Sequence, residues 1–563
     1  MTGSEEILPL LNYGVTSKLC IGVTVFEAAV REGKFLIDKS SFIKTFFYTG
    51  ACCIEILLPC GFGKSFNLSM LKYFLDENIK DQATTFEKFA IMKEDEIVEK
   101  HMGKHPVAYL SLGDCQASTW AQMLELVWLA LSRMMEPHIK AGDIALSEFE
   151  YLGNERSMRL CDVFAQFLRR LHETRNKKVV VIVDDFDVPM RVKMSEEDSK
   201  ARLSFFVYFY SSALKDNVAV KKACLAGTHH VSFTDMYSGF NNVCVYPLGD
   251  NARFGDSFGF SETEVKCFLR NVCEVDEARI NQDWNKQGGI KDHVGGYFIG
   301  KYSLVNPRSF MSYIGGQYER GECIDFLHIF NAYNLDFADM IELIQAVMND
   351  GSRGRTRIGQ LRPEFGFTSE RCRGSIAHFM CMIGYLTCQS GYAWIPNGEM
   401  LFAWKNLIAG IGGFPTYDEA LIFSSKMASA LCDLNCGMIK ELMTIVIKRD
   451  ARMPLYLESI LTIQGLIKYE DRFVRKYATD QAFHFEGAKR SVVIGYTYSN
   501  QSDENLGNLA KWALRNTRLG CAPVEHDVLL IGCAIDRVIP SQVAFRFRTE
   551  RAGESRSGKR QKT

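Results

Sequence analysis

Gly63, Lys64 and Ser65 supply what a bound phosphate needs around it: a backbone without a side chain, a cation and a hydroxyl. They close the stretch Leu57-Leu58-Pro59-Cys60-Gly61-Phe62-Gly63-Lys64-Ser65. Before them runs the apolar segment Cys52-Cys53-Ile54-Glu55-Ile56-Leu57-Leu58, which reads as a strand, and after them Phe66, Leu68, Met70, Leu71, Phe74 and Leu75 recur at helical spacing. A helix therefore starts at the lysine. Its first N–H groups and the positive end of its dipole would face an anion, Lys64 would reach the outer phosphates, and the Ser65 hydroxyl would ligate magnesium. The residues expected around the phosphates are Pro59, Cys60, Gly61, Phe62, Gly63, Lys64 and Ser65. One position departs from the usual pattern, which begins with a glycine where this chain has Leu58 followed by Pro59. Standing alone, such a triplet would as readily be a surface turn.

A partner motif lies downstream. Lys178-Val179-Val180-Val181-Ile182-Val183-Asp184-Asp185-Phe186-Asp187 is a β-favouring apolar run that ends in carboxylates, as a Walker B strand does. A continuous apolar run suits a parallel strand covered on both faces. Asp184 at its carboxyl end would hold the magnesium through Ser65 or a water, and Asp185 would place the attacking water. The alternative is a core strand followed by a solvated acidic turn.

These motifs need a scaffold, and the pattern from about residue 20 to 230 supplies one. The strand before Lys64, then Val107 to Leu112, Val179 to Val183 and Val220 to Leu225, alternate with helical segments. That order implies an α/β fold with a mostly parallel sheet and helices on both faces, whose ligands bind beyond the carboxyl ends of the strands. Gly227-Thr228-His229-His230 follows the last of these strands, where His229 or His230 would sense a terminal phosphate or else sit exposed in a turn. From about 259 to 430 helical patterns dominate, as in Asp325 to Phe330 and Met340 to Ile344. After about 440, a helical segment through Ile460 to Ile467 precedes a strand at Arg490 to Tyr498, a helix at Leu509 to Arg515 and a strand at Asp527 to Gly532, a small βαβ-like unit.

At 563 residues the chain exceeds one ordinary core, so about two or three domains are expected. A 47% hydrophobic and 24% charged composition with a formal net charge of −1 is that of an ordinary globular chain, and names no polyanionic partner. The acidic start, Met1 to Glu6, lacks the basic and apolar regions of a secretory signal, and no run approaches the ~18 apolar residues of a membrane helix. An intracellular protein, cytoplasmic or nuclear, without a membrane partner is expected. Its 18 cysteines are scattered and read as reduced thiols. Cys432 with Cys436, and Cys372 with His378 and Cys381, lack the paired short spacings of structural zinc sites.

With these residues in view, the chain resembles the AAA-ATPase-like family of P-loop proteins, many of which carry a C-terminal PD-(D/E)XK nuclease-like domain. The resemblance runs from about residue 13 to 540. Its landmarks are Phe35-Leu36-Ile37-Asp38-Lys39-Ser40, Phe62 to Ser65, Val181 to Pro189, Phe240-Asn241-Asn242 and Phe258-Gly259-Phe260-Ser261-Glu262. They continue with Gly295-Gly296-Tyr297-Phe298, Tyr302-Ser303-Leu304-Val305-Asn306-Pro307, Ile383 to Thr387 and Ile395 to Glu399. The family's own loop reads roughly Arg-Pro-Arg-Arg-Phe-Gly-Lys-Ser, which accounts for the absent first glycine. The resemblance implies a P-loop NTPase core at 13–258, a helical region at 259–435, a small α/β nuclease-like domain at 436–545 and a basic disordered tail at 546–563. It implies ATP and Mg2+ as ligands and Arg308 as a nucleotide-reaching arginine, with a solvated arginine as the plainer reading. Asp38 and Lys39 match a family motif whose plain reading is a structural salt bridge.

Three departures bear on activity. Leu58, Cys60 and Gly61 replace the loop arginines, removing positive charge that would hold phosphates. Asp185 replaces the family's glutamate and is one methylene shorter, and a displacement of about 1 Å in a positioning group costs on the order of 100-fold in rate. In the C-terminal domain Asp480 aligns with the first metal-binding acid, but Gly495 and Thr497 stand where a nuclease has glutamate and lysine. The sequence therefore points to a nucleotide-binding switch with slow or absent Mg-ATP hydrolysis. A non-catalytic interaction protein and a nucleic-acid processing ATPase-nuclease are the alternatives. Nucleic-acid contact would use Lys489-Arg490, Arg472 to Lys476 and Lys559-Arg560; the protein partner and oligomeric state are unspecified.

Overall fold

In the structure, a computed structural model of the chain, the described residues are 19–20, 22–149, 156–192, 194–231, 242–247, 253–286, 288–315, 343–344, 346–347, 354–358, 364–365, 375–411, 414, 417–449, 480–485, 490–499, 506–516, 527–536 and 543–550. The chain divides into two compact units, Met1–Asn334 with Thr356–Leu401, and Leu335–Arg355 with Phe402–Thr563.

The first unit is built on a five-stranded sheet. Its strands are β1 (Cys53–Leu57), β2 (Val107–Ser111), β3 (Val179–Asp184), β4 (Val220–Gly227) and β6 (Val243–Tyr246); β5 (His230–Val231) lies outside it and pairs with Glu364–Phe365. The order is β2-β3-β4-β1-β6 and every neighbour is parallel. Alternation along each strand divides its side chains between two cores. Val179, Val181 and Val183 pack with Leu110 and Leu225 against α6 (Trp120–Lys140), α7 (Arg156–Arg175) and α8 (Glu196–Leu214). Val180 and Ile182 pack with Ile54, Ile56 and Cys224 on the other face. There they meet α1 (Phe26–Arg31), α2 (Ser41–Tyr48), α3 (Lys64–Leu75) and the neighbourhood of α4 (Gln82–Phe86) and α5 (Asp95–His101). The α/β fold with helices on both faces is thus as expected.

Past the sheet the same unit continues with β7 (Phe260–Ser261), α9 (Glu262–Val272), α10 (Glu277–Asn285), α11 (Ile290–Val294), β8 (Tyr297–Ile299), β9 (Tyr302–Val305) and α12 (Pro307–Ile314). Ser261 and Glu264 form a reciprocal capping box that starts α9. Phe268, Leu269, Ile280, Trp284, Val294, Val305 and Phe310 close a third core. The helical reading of this region holds for α9 to α12 but omits an antiparallel sheet, β7-β9-β8, and the hairpin Thr387–Gln389 with Tyr392–Trp394. These strands have only two to four residues, too few for periodicity to separate from a helical turn.

The second unit carries the helices Tyr417–Cys432 and Cys436–Arg449 and a four-stranded sheet. Asp480–Phe485 runs antiparallel to Arg490–Ser499, which runs parallel to Asp527–Asp536, which runs antiparallel to Val543–Glu550. Helix Leu506–Asn516 lies between the two parallel strands in sequence, giving the expected βαβ unit. Asp480 stands opposite Gly495 in the register. The expected helices at Asp325 to Phe330 and Ile460 to Ile467, and the basic runs at Arg472 to Lys476, Lys489 and Lys559-Arg560, lie outside the described residues. No helix among the described residues is long and apolar enough to cross a membrane.

Candidate functional site

The apolar β1 strand ends at Leu57, and the chain turns from it into α3 through two glycines with left-handed backbone, Gly61 (φ 83°) and Gly63 (φ 82°), the latter capping the helix. Beyond the turn is a cavity of about 290 Å³. The loop and first turn of α3, from Cys60 to Asn67, form its floor, while Asp185, Pro307 and Arg308 stand at its sides. Its apolar wall includes Val23, Phe35, Leu36, Ile37, Phe260 and Met311. Pro59 is not among the lining residues; its ring packs beside Gly384, where a Cβ would come within 2.7 Å of it.

Polar satisfaction along this loop is one-sided. Among the described residues, no acceptor is found for the N–H groups of Gly61, Phe62, Gly63, Lys64 and Ser65. The carbonyls, by contrast, are occupied. Lys64 Nζ donates to Leu58 O at 2.8 Å and Pro59 O at 2.9 Å, Asn306 Nδ2 donates to Cys60 O at 3.0 Å, and the Arg308 N–H donates to Gly61 O at 3.2 Å. A row of N–H groups at a helix start, with a buried lysine beside it, is an arrangement that can receive an anion.

Asp184 ends β3 on the α3 face and is 3% exposed. Its carboxylate accepts from the Tyr109 hydroxyl at 3.1 Å, and the Ser65 hydroxyl lies close enough to favour its ionised form. Burial and the neighbouring Asp185 push it up to about 6, against the opposing pull of Ser65, Lys64 and Tyr109. Asp185 is also raised, chiefly by burial. A buried carboxylate, Asp184, a half-buried one, Asp185, and a hydroxyl on adjoining elements form a hard oxygen set whose negative charge calls for a cation, so the residues present fit magnesium. Asp185 adopts left-handed backbone (φ 54°), a conformation short polar side chains tolerate best.

The third carboxylate turns elsewhere. Asp187 is fully buried and accepts from Arg191 Nη2 at 2.8 Å, from the His229 N–H at 2.8 Å and from the Thr228 N–H at 3.2 Å. Burial alone would raise its carboxyl, but Arg191 and His229 outweigh that and hold it below the ordinary value. Neither histidine expected as a phosphate sensor lines the cavity, and neither is an exposed turn residue. His229 is 4% exposed, stacks on Phe379 and meets Asp187, while His230 Nδ1 lies 2.8 Å from the buried Glu55. The strand ends are parallel, but β4 runs on past the carboxyl end of β3, which carries these histidines toward the Asp187 side.

Lys39 donates to Glu264 at 2.8 Å and to Asp256 O at 3.0 Å, and Asp38 accepts from the Ser40 and Ala90 N–H groups. The two residues are thus tied into structural bonds, while Lys39 also borders the cavity. In the loose Cys/His cluster, Cys381 is a free, buried thiol whose pKa is raised mainly by burial, with neighbouring Cys388 adding to it, and His378 Nε2 lies 3.2 Å from Ile358 O; Cys372 is outside the described residues. Tyr109, Asp187 and Asn306 received no chemical role from the sequence. Only Asn306 carried a readable signal, because Asn followed by Pro is a helix start.

Residues 20–237 match the family model described as Predicted AAA-ATPase, which supports the AAA-like family for this segment and a nucleotide as its ligand. A protein of Azotobacter chroococcum mcd 1, described as "Uncharacterized protein in vnfD 5'region", is 25% identical over 272 residues. That alignment covers 48% of this chain and 48% of the relative, so the chain spans about half the length of the curated relative it matches.

Proposed function

We propose that this chain binds Mg-ATP in the cavity over α3 and serves as a nucleotide-dependent switch with slow or absent hydrolysis. The observation that carries the reading is the row of N–H groups from Gly61 to Ser65, without an acceptor among the described residues, beside the buried Lys64 and Asp184. In this reading the N–H groups cradle the phosphates, and Lys64 exchanges its bonds to Leu58 O and Pro59 O for the outer phosphates. Ser65 and Asp184 would hold magnesium, whose chemistry is to neutralise charge on the phosphates. Arg308 borders the cavity and is proposed to reach the nucleotide.

Asp185 is proposed to place the attacking water. Its short side chain, on a left-handed residue, favours slow turnover. The domain division at 13–258, 259–435 and 436–545 is retained as part of this proposal, with the last domain nuclease-like but inactive. The test is Mg-ATP binding and phosphate release by the purified chain. Binding lost in Lys64→Ala, with release at least about tenfold faster in Asp185→Glu, is the expected result. Binding unaffected by Lys64→Ala would sink the ATPase reading and favour an interaction scaffold.

A further inference from the structure

A planar trans peptide points its carbonyl and the next N–H in opposite directions, so whatever fixes a loop carbonyl outward also aims the following N–H. At Cys60 that fixing group is a side chain from far along the sequence. Asn306 Nδ2 donates to Cys60 O at 3.0 Å, which aims the Gly61 N–H to the opposite side, and the Arg308 N–H does the same through Gly61 O for Phe62. The other end of the Asn306 amide is also engaged, since Oδ1 accepts from the Arg308 N–H at 3.0 Å and the Ser309 N–H at 3.3 Å to cap α12. Carbonyl on one side and N–H donors on the other leave only one orientation for this amide. Asn306 is 7% exposed and so close that a Cβ on Gly61 would come within 2.6 Å of its Oδ1.

The surroundings hold this contact in place. Phe62 packs edge-on against Tyr297 with centroids 5.1 Å apart, and the Tyr297 hydroxyl donates to Gly384 O at 3.2 Å. Gly259 approaches the Phe62 ring so closely that a Cβ there would lie 3.2 Å away. Sequence landmarks spread from Gly259 to Gly384, none with a role of its own, therefore converge on the outer side of one short loop.

We propose that Asn306 is a positioning residue of the nucleotide site, holding the phosphate loop with its N–H groups turned inward while capping the helix that carries Arg308. This rests on the reading of the cavity as a nucleotide site. It makes the segment from β7 to α12 part of the phosphate-binding apparatus, so loop geometry and α12 move together.

The test uses the full chain with Asn306→Ser and Asn306→Asp, both of which keep a helix-capping oxygen and remove the amide N–H that reaches Cys60 O, serine leaving only a shorter hydroxyl. Titration calorimetry with Mg-ATP, Mg-ADP and adenosine, thermal melting, and hydrogen exchange without nucleotide are measured on each. Expected are a loss of about tenfold in Mg-ATP and Mg-ADP affinity in both variants, unchanged adenosine affinity and melting temperature, and faster exchange of the bonded Leu58 N–H at the root of the loop but not in α9. Weakening by Asn306→Asp alone would reflect added charge and overturn the proposal, as would equal losses for adenosine and ATP. Unchanged affinity in both variants, with Lys64→Ala still abolishing binding, would overturn the role of Asn306 and leave the nucleotide site standing. Wild-type chain that bound no nucleotide would end both.

Discussion

Asp184, Asp185 and Asp187 share one short segment, yet their surroundings give them different chemistry. Asp184 faces α3 and the Ser65 hydroxyl, Asp185 borders the cavity, and Asp187 points back to Arg191 and His229. In the sequence they are simply acids at a strand end, and the buried clamp at Asp187 was not legible because two of its donors, the Thr228 and His229 N–H groups, come from the end of another strand. Replacing Asp187 with alanine leaves the Arg191 guanidinium and two buried N–H groups without their acceptor, an expected loss of about 3 kcal/mol at pH 7. The pH dependence has a defined sign. A carboxyl held below its unfolded value, near 3.8, stabilises fully above that value and loses its contribution as pH falls through the folded one. Urea titrations of wild type and Asp187→Ala should therefore differ equally at pH 7 and pH 5 and converge only below about 3.8. Convergence already between pH 7 and pH 5 would show that the ionised carboxylate is not the stabilising form.

The element that matters most is the loop between β1 and α3, and its two left-handed glycines are not equivalent. Around Gly63 an added Cβ would meet nothing within 4 Å, whereas at Gly61 it would meet Asn306 Oδ1 at 2.6 Å and Arg308 Cβ at 3.1 Å. Gly63→Ala should cost only the backbone term, about 1–2 kcal/mol. Gly61→Ala adds about 1–3 kcal/mol for forcing α12 away, and denaturant titration of both variants measures the difference. Equal costs would mean that α12 yields freely and does not brace the loop. Strand, loop and helix were readable here because β1, Gly63-Lys64 and the apolar face of α3 are contiguous. The bracing segment was not, since β8 and β9 are short and the contacts of Tyr297 with Phe62 and of Asn306 with Cys60 span long stretches of chain.

At the scale of the molecule the described residues fall into two compact units, and the loop belongs wholly to the first. Calorimetry of the full chain should show two transitions, of which saturating Mg-ATP raises one. At a ligand concentration of about 100 times Kd the stabilisation is about 2.7 kcal/mol, a shift of a few degrees. A single transition that shifts as a whole would mean the units unfold together, and no shift would remove the nucleotide site. Local chemistry was written in contiguous residues: the apolar runs that become β1 and β3, the glycines and lysine between β1 and α3, and the acids that end β3. Those follow from alternation, turn requirements and helix polarity, which act over a few residues. Which acid meets Ser65, why His229 and His230 leave the cavity, and how Asn306 comes to hold Cys60 were decided by the tertiary structure. Such pairings depend on which strands become neighbours and which side chains are buried together, and no local property of the chain encodes that.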